Sequence, residues 1–252
     1  MYLFLDFDGT LTRIRKHPAK VRLSMGTRGA IKDLASLGNV SVAIISGRSL
    51  EDITKRVGVK NITYAGNHGL EIKGEDGQHI VKGAKEAKKV ISGINKQIKE
   101  RTASFEGVIV EDKKVSLSVH YRMARKRDIR EVNRIVEGTT APYRAKRRIK
   151  LTRGKKVWEI RPPIDWDKGA AVLCLLEKKR KKTKARIVPL YIGDDKTDED
   201  AFRKLKGKGW SVRVAKDKKH PSRAKHYLKG TEEVKNFLLR LYRLKREERR
   251  HV

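Results

Sequence analysis

Two aspartates one residue apart, Asp6 and Asp8, sit in the string Leu3-Phe4-Leu5-Asp6-Phe7-Asp8-Gly9-Thr10-Leu11-Thr12. The apolar run before them has the continuous hydrophobicity of a strand buried on both faces of a parallel sheet. A carboxylate placed there must be paired, bound to a metal or neutralised. Open α/β sheets hold their ligands at the carboxyl ends of their strands. Two carboxylates flanking one point, with Gly9 admitting a close backbone, suit a hard cation together with an anionic substrate. Asp8-Gly9 alone is an ordinary turn pair; the strand ahead of it and the two threonines behind it set it apart.

Other strand ends carry matching chemistry. The apolar run 40–45 ends in Ser46-Gly47-Arg48, followed by Ser49 and Asp52 as a capping pair. A hydroxyl beside a helix N-terminus is placed to bind a phosphoryl oxygen. The run 187–192 ends in Gly193-Asp194-Asp195-Lys196-Thr197-Asp198-Glu199-Asp200. Glu199 and Asp200 read as first-turn helix residues, with Thr197 as the expected cap. So many carboxylates repel one another without a cation, and a set made only of oxygens favours Mg²⁺. Lys168, in Asp167-Lys168-Gly169 at a helix start, can neutralise charge there. A third short run, 62–65, ends in Gly66-Asn67-His68-Gly69-Leu70-Glu71. A lone histidine is usually structural, but one between two glycines at a strand end can shape a pocket.

These residues need elements to hold them. Periodicity predicts a helix over 27–37, a long amphipathic helix over 84–101, strands over 108–111 and 115–121, a helix over 127–137 stopped by Gly138, strands over 143–151 and 156–161, and a stiff exit at Pro162-Pro163. The chain is therefore expected to be α/β, with a Rossmann-like parallel-sheet core over 1–82 and 163–252. An α+β cap over 83–162 is expected to interrupt it. A run over 210–214 reads as a further core strand, and 231–247 as a final helix.

Composition narrows the class. Of 252 residues, 63 are Lys or Arg and 30 are Asp or Glu, a net charge of +33. A balance this basic raises the prior for polyanion binding. The basic residues run from Arg13 to Arg250 without a nucleic-acid motif, and aromatics are 6%. A solvated, ion-paired surface is expected, with no nucleic-acid partner. Cys174 is the only cysteine, so no intrachain disulfide can form, and it is expected to be a small buried side chain. The N-terminus enters a strand at once and no apolar run could span a bilayer. A cytoplasmic monomer with no membrane partner is expected.

The string Asp6-x-Asp8-Gly9-Thr10-x-Thr12 resembles the first motif of the haloacid dehalogenase superfamily of phosphatases. Ser46, Lys168 and the Asp194–Asp198 loop match its second, third and fourth. Gly66-Asn67-His68-Gly69-Leu70-Glu71, Ser116-Leu117-Ser118-Val119-His120-Tyr121-Arg122 and Trp158-Glu159-Ile160-Arg161-Pro162 narrow the likeness, together with the 193–200 string. They look like the trehalose-6-phosphate phosphatases. The resemblance implies a parallel-sheet core with an inserted α/β cap, and a sugar-phosphate substrate. It implies Asp6 as nucleophile, Asp8 as general acid and base, and Ser46 and Lys168 as stabilisers of the transferring group. Mg²⁺ would be held by Asp6, Asp8 through its carbonyl, Asp194 and Asp198. Arg48, Gly66, Asn67 and His68 would lie on the substrate, and Glu111, Lys113, Arg122, Lys155 and Glu159 would hold the glucose units. A phosphatase for sucrose phosphate or a glycosyl phosphoglycerate is the near alternative. A polyanion-binding protein on a vestigial phosphatase fold is the distant one.

Overall fold

The computed structural model describes residues 1–15, 17–183, 185–217 and 221–248. It divides into two compact units, Met1–His79 with Trp166–Val252, and Ile80–Asp165.

The chain begins with β1 (Tyr2–Leu5), α1 (Met25–Ala35), β2 (Ser41–Ile45), α2 (Leu50–Val57), β3 (Thr63–Gly66), β4 (Glu71–Gly74) and β5 (Gly77–Ile80). The middle stretch supplies α3 (Ala84–Thr102), β6 (Ile109–Asp112), β7 (Leu117–His120), α4 (Ile129–Ala145), β8 (Lys150–Gly154) and β9 (Val157–Arg161). The first unit then resumes with α5 (Lys168–Lys182), β10 (Pro189–Gly193), α6 (Asp198–Leu205), β11 (Trp210–Val214), β12 (His226–Leu228) and α7 (Thr231–Glu248).

The first unit is built on a sheet of order β12-β11-β10-β1-β2-β3-β4-β5. The strands from β12 to β3 are parallel, and β4 turns back antiparallel on β3. Side chains alternate across the pleat, so β1 feeds two cores. Leu3 and Leu5 join Ile31, Leu34, Ile53 and Leu238 on one face; Tyr2 and Phe4 join Val172, Leu176, Tyr191 and Phe202 on the other. β1 lies between β2, reached through α1, and β10, reached after α5. The strand order reverses there, and a doubly wound sheet opens its ligand crevice at that point.

The second unit is an antiparallel sheet of order β6-β7-β9-β8 with α3 and α4. Leu117, Val119, Trp158 and Ile160 bury one face against Ile91, Ile94, Ile98, Val132 and Val136. The opposite face carries a polar row, because Ser118 registers with Glu111 on one side and Glu159 on the other.

Several elements depart from periodicity, each for a local reason. The first helix begins at Met25 because the Ser24 side chain caps it, accepting from Thr27 N. α4 runs through Gly138 to Ala145 with Pro142 inside it, and β8 starts only at Lys150. Gly138 is tolerated in a helix interior, and it is the residue whose carbonyl the Pro142 ring must clear. Thr139 and Thr140 are buried on that extension. The β4–β5 hairpin and β12 are short and mostly polar, so they carried no alternating signal. The lysines of 178–182 continue α5. Cys174 is half-buried rather than enclosed. Of the charged tail, residues 249–252 lie outside the described residues.

Phe202 is fully buried and meets Tyr191 edge-on at 5.8 Å between centroids. Phe202→Ala should destabilise the protein by about 3–5 kcal/mol, measured by urea unfolding followed by far-UV circular dichroism.

Candidate active site

β1 ends at Leu5, and Asp6 extends its ladder by donating its N–H to the Ile192 carbonyl of β10 at 2.9 Å. The chain then closes into a tight loop. Leu11 N and Thr12 N donate to the Phe7 carbonyl, as does the Thr12 hydroxyl, and Gly9 N donates to the Thr12 carbonyl at 2.7 Å. Gly9 holds φ +95°, and a Cβ there would lie 2.1 Å from Asp194 Oδ2. Only glycine admits that approach. Thr10 donates its hydroxyl to Asp194 Oδ1 at 3.1 Å, tying the first loop to the one after β10.

Lys168 opens α5 inside this cluster, 2% exposed. Its ammonium donates to Asp6 Oδ1 at 2.6 Å and to Asp198 Oδ1 at 2.7 Å. Asp198 is fully buried. Its Oδ1 also accepts the Tyr191 hydroxyl at 2.7 Å, and its Oδ2 accepts the N–H groups of Asp194 and Asp195 at 2.9 Å each. A Cβ on Gly193 would strike the Asp198 carboxylate, so that residue too must be glycine. The α6 N-terminus is capped by Asp195, whose Oδ1 accepts from Thr197 N, the Thr197 hydroxyl and Asp198 N. Thr197 itself makes no side-chain cap. A carboxylate two residues ahead reaches the free N–H groups better than the expected hydroxyl.

The electrostatics follow from burial. Desolvation opposes the Lys168 charge, yet Asp198 and Asp6 hold its pKa well above the ordinary lysine value. Desolvation pushes Asp6 well above the carboxylate range; Asp198 and Asp194 add to this, and Lys168 opposes it. Asp194 is pushed up to about 7 by burial, then by Asp198 and Asp195. Asp195 is held at about 2: burial resists, but Lys168 and the hydrogen bonds from Thr197 and Asp198 prevail.

Asp6, Asp194 and Asp198 each offer an oxygen within 4.8 Å of the others. Their donor sets differ. Asp198 spends both oxygens on protein donors. Asp6 and Asp194 each keep an oxygen that accepts no hydrogen bond from a described residue. Facing carboxylate oxygens without donors fit a divalent cation, and Asp198 positions their loop and the lysine.

The second strand end is interlocked with the third. Ser46 is buried, its hydroxyl accepting from Arg48 N, and its carbonyl accepts the His68 N–H at 2.8 Å. Asn67 N donates to the Arg48 carbonyl at 2.7 Å. Asn67 and His68 both hold positive φ, 53° and 58°. The fully buried Asn67 amide is fixed by Glu71 at 2.6 Å. A Cβ on Gly66 would fall 2.3 Å from Leu50 N, so the loop packs on the start of α2. Arg48 donates from Nε and Nη2 to the two Asp8 oxygens at 2.6 and 2.7 Å, and from Nη1 to Asp52 at 2.8 Å. Asp52 in turn takes Arg56 at 2.7 Å. In this structure Arg48 therefore orients the Asp8 carboxylate.

In the second unit the structure brings together Glu111, Lys113 and Glu159. Lys113 Nζ lies 3.9 Å from Glu111 and 3.8 Å from Glu159, while Ser118 donates to Glu159 at 2.7 Å and His120 lies 3.0 Å from Glu111. Arg122 is exposed and bonds the Lys155 carbonyl at 3.1 Å. Tyr191, Asp52 and the cap role of Asp195 were missed in the sequence: Tyr191 reads as another apolar strand residue, and Asp52 only as a helix start.

The doubly wound fold is shared with a haloacid dehalogenase-like hydrolase from Bacteroides thetaiotaomicron, which superposes at TM-score 0.67 over 95% of this chain and 98% of its own, at 15% identity. The chain belongs to the trehalose-phosphatase family, whose sequence model matches residues 4–232. It is 37% identical to trehalose-phosphate phosphatase B of Arabidopsis thaliana over 97% of this chain and 67% of that protein. It is 40% identical to the trehalose-phosphate phosphatase of Mycobacterium tuberculosis over 79% of this chain and 50% of that one. The chain thus spans about two thirds of the plant relatives it matches and half of the mycobacterial ones. Among solved structures, the C-terminal domain of Candida albicans trehalose-6-phosphate phosphatase superposes at TM-score 0.78 and 25% identity, covering 96% of this chain and 92% of that one.

Asp194 and Asp198 should respond oppositely to neutralisation in cation-free protein. The folded Asp194 carboxyl titrates near 7, above its unfolded value of about 4. Its charge therefore opposes folding fully above pH 7, and the opposition fades as pH falls through 7. Asp194→Asn should be more stable than wild type at about pH 8, with the gap narrowing toward about pH 5. Asp198→Ala should lose about 3–5 kcal/mol, because it strands the Lys168 charge and two peptide N–H groups. Denaturant titrations in a chelating buffer at the two pH values check both.

Proposed function

We propose that the chain hydrolyses trehalose 6-phosphate to trehalose and inorganic phosphate with Mg²⁺ bound. The observation that supports this best is the Lys168 ammonium held between Asp6 and Asp198 at the switch point, in a chain of the trehalose-phosphatase family. Lys168 fixes the Asp6 carboxylate, which attacks phosphorus. As the Asp6–phosphorus bond forms, the phosphorus–sugar oxygen bond breaks, and Asp8 gives its proton to the departing oxygen. Asp8 then takes a proton from water as that water attacks phosphorus, and the Asp6 carboxylate is regenerated. Ser46 and the adjoining α2 N-terminus stabilise the equatorial oxygens of the group in transfer. Mg²⁺, held by Asp6, Asp194 and the Asp8 carbonyl, would neutralise charge on the phosphoryl group and relieve carboxylate repulsion.

Arg48 orients Asp8 in the resting site, and Asp8 must be released to carry its proton. An incoming phosphate dianion is a stronger partner for a guanidinium fork than one carboxylate, so binding the substrate frees the acid. The inserted unit is assigned the choice of sugar. Its row of Glu111, Ser118 and Glu159, backed by Lys113 and His120, offers acceptors and donors for the hydroxyls of a neutral disaccharide. Arg122 and Lys155, at the neighbouring turn, are assigned to the same sugar.

Phosphate release should be high for trehalose 6-phosphate, lower across other sugar phosphates, and lost on chelation. Asp6→Asn should abolish it, and Asp8→Asn should lower it by about 10²–10⁴-fold. A wild-type protein inert toward trehalose 6-phosphate with Mg²⁺ present would refute this function. Glu159→Ala should cut kcat/KM for trehalose 6-phosphate severely and leave p-nitrophenyl phosphate nearly unchanged, since that substrate has no disaccharide to recognise. Equal losses on both would reduce Glu159 to a sheet ion pair.

A further inference from the structure

A groove of about 710 Å³ opens at the amino ends of β10 and β11 and beside the end of α5. Arg180, Arg186, Lys208, Lys225 and Trp210 line it, and no aspartate or glutamate does. None of its four cations pairs with a carboxylate among the described residues. Some cations elsewhere do pair: Lys182 with Asp76, Arg203 with Asp200, Arg213 with Glu199. The indole of Trp210 is 53% exposed. It leans on the His226 ring at 5.1 Å between centroids and 33° between planes. Val188, also exposed, adds apolar surface beside it.

We propose that this groove binds a single-stranded nucleic acid, an activity separate from the phosphatase reading. Each cost of the empty groove names a feature of the ligand. Four unneutralised cations around one concavity repel one another, and a row of phosphodiesters relieves that repulsion while releasing counterions. An exposed indole backed by imidazole offers a flat π face, which an unpaired base covers by stacking. A duplex keeps its bases stacked inside and leaves Trp210 uncovered. A second copy of this chain would bring four cations against four. The groove is concave, which a strand can enter and a bilayer surface cannot. The catalytic carboxylates stand beyond the carboxyl ends of β1 and β10, roughly 16 Å away for five residues of strand, so both sites can be filled at once.

The test is fluorescence anisotropy of the whole chain with a labelled single strand of about 12 nucleotides in about 0.1 M salt. Trp210→Ala should weaken binding about tenfold and leave phosphatase turnover unchanged, which also confirms folding. Arg186→Gln with Lys208→Gln should flatten the slope of log affinity against log salt by roughly 1.4. Lys85→Gln with Lys89→Gln removes the same charge from exposed positions on α3 and should change affinity less than twofold. The proposal is overturned by no binding, by a Trp210→Ala variant that binds like wild type, or by equal losses in groove and α3 variants. That last result would mean diffuse attraction by the net charge. Equal affinity for a duplex of the same sequence, or dimerisation through the Trp210 face in sedimentation, would overturn it too.

Discussion

One buried ammonium organises the catalytic end of this protein. An ion taken out of water costs several kcal/mol unless its partners are close and themselves satisfied. Lys168 meets that condition with Asp6 on β1 and Asp198 at the start of α6, so three elements distant in sequence are fixed to one point. The condition propagates. Asp198 can serve the lysine only because Tyr191 and the Asp194 and Asp195 amides fix its remaining lone pairs. Those two amides fix the loop that presents the Asp194 carboxylate. The network nonetheless carries more negative charge than positive, since Asp6, Asp194, Asp195 and Asp198 face a single lysine. Burial, then the Asp198 and Asp195 charges, raise Asp194 to about 7, and a divalent cation bound there would relieve the imbalance.

Steric limits sharpen the same site. The motif glycines are places where one loop passes through the space another residue's Cβ would need. Gly9 makes room for Asp194, Gly193 for Asp198, Gly47 for the His68 ring and Gly66 for the start of α2. Each strand-end loop is thus shaped by its neighbour, and the loops can form together more readily than singly. The left-handed backbone at Asn67 and His68 follows. It is held by bonds to the Ser46 and Arg48 carbonyls and by the buried Asn67–Glu71 pair.

Much of this was legible in the residues, and the boundary of legibility has a physical cause. Parallel strands buried on both faces announce themselves as apolar runs, and carboxylates at the ends of such strands are too costly to keep unless they bind charge. β1, β2, β10 and β11 were therefore visible, as were Asp6, Asp8, Asp194 and Lys168 as chemistry. Elements held by edge pairing were not: the β4–β5 hairpin and β12 owe their form to the strand beside them. α4 overran an apparent stop at Gly138 because buried Thr139 and Thr140 favoured continuation. Within the site, residue type suggested a role and only geometry divided the labour. Asp195 and Thr197 exchanged the cap, and Arg48 turned out to face Asp8.

The two rims of the sheet make opposite electrostatic demands, and this explains how so basic a chain tolerates a carboxylate cluster. At the carboxyl rim Asp6 and Asp198 are buried against one lysine, with Asp194 half-buried and Asp195 at the surface beside them. At the amino rim the lysines of α5 and the cations near Trp210 stay in solvent, where a Debye length of about 8–10 Å limits their reach. Strands of five residues separate the rims by more than that length, so the basic surface at the amino rim does little to neutralise the site. Its summed field does act on approach, because a net charge of +33 attracts any phosphate monoester before short-range contacts form. Surface charge thus bears on encounter and buried charge on chemistry, and the thickness of the sheet keeps the two apart.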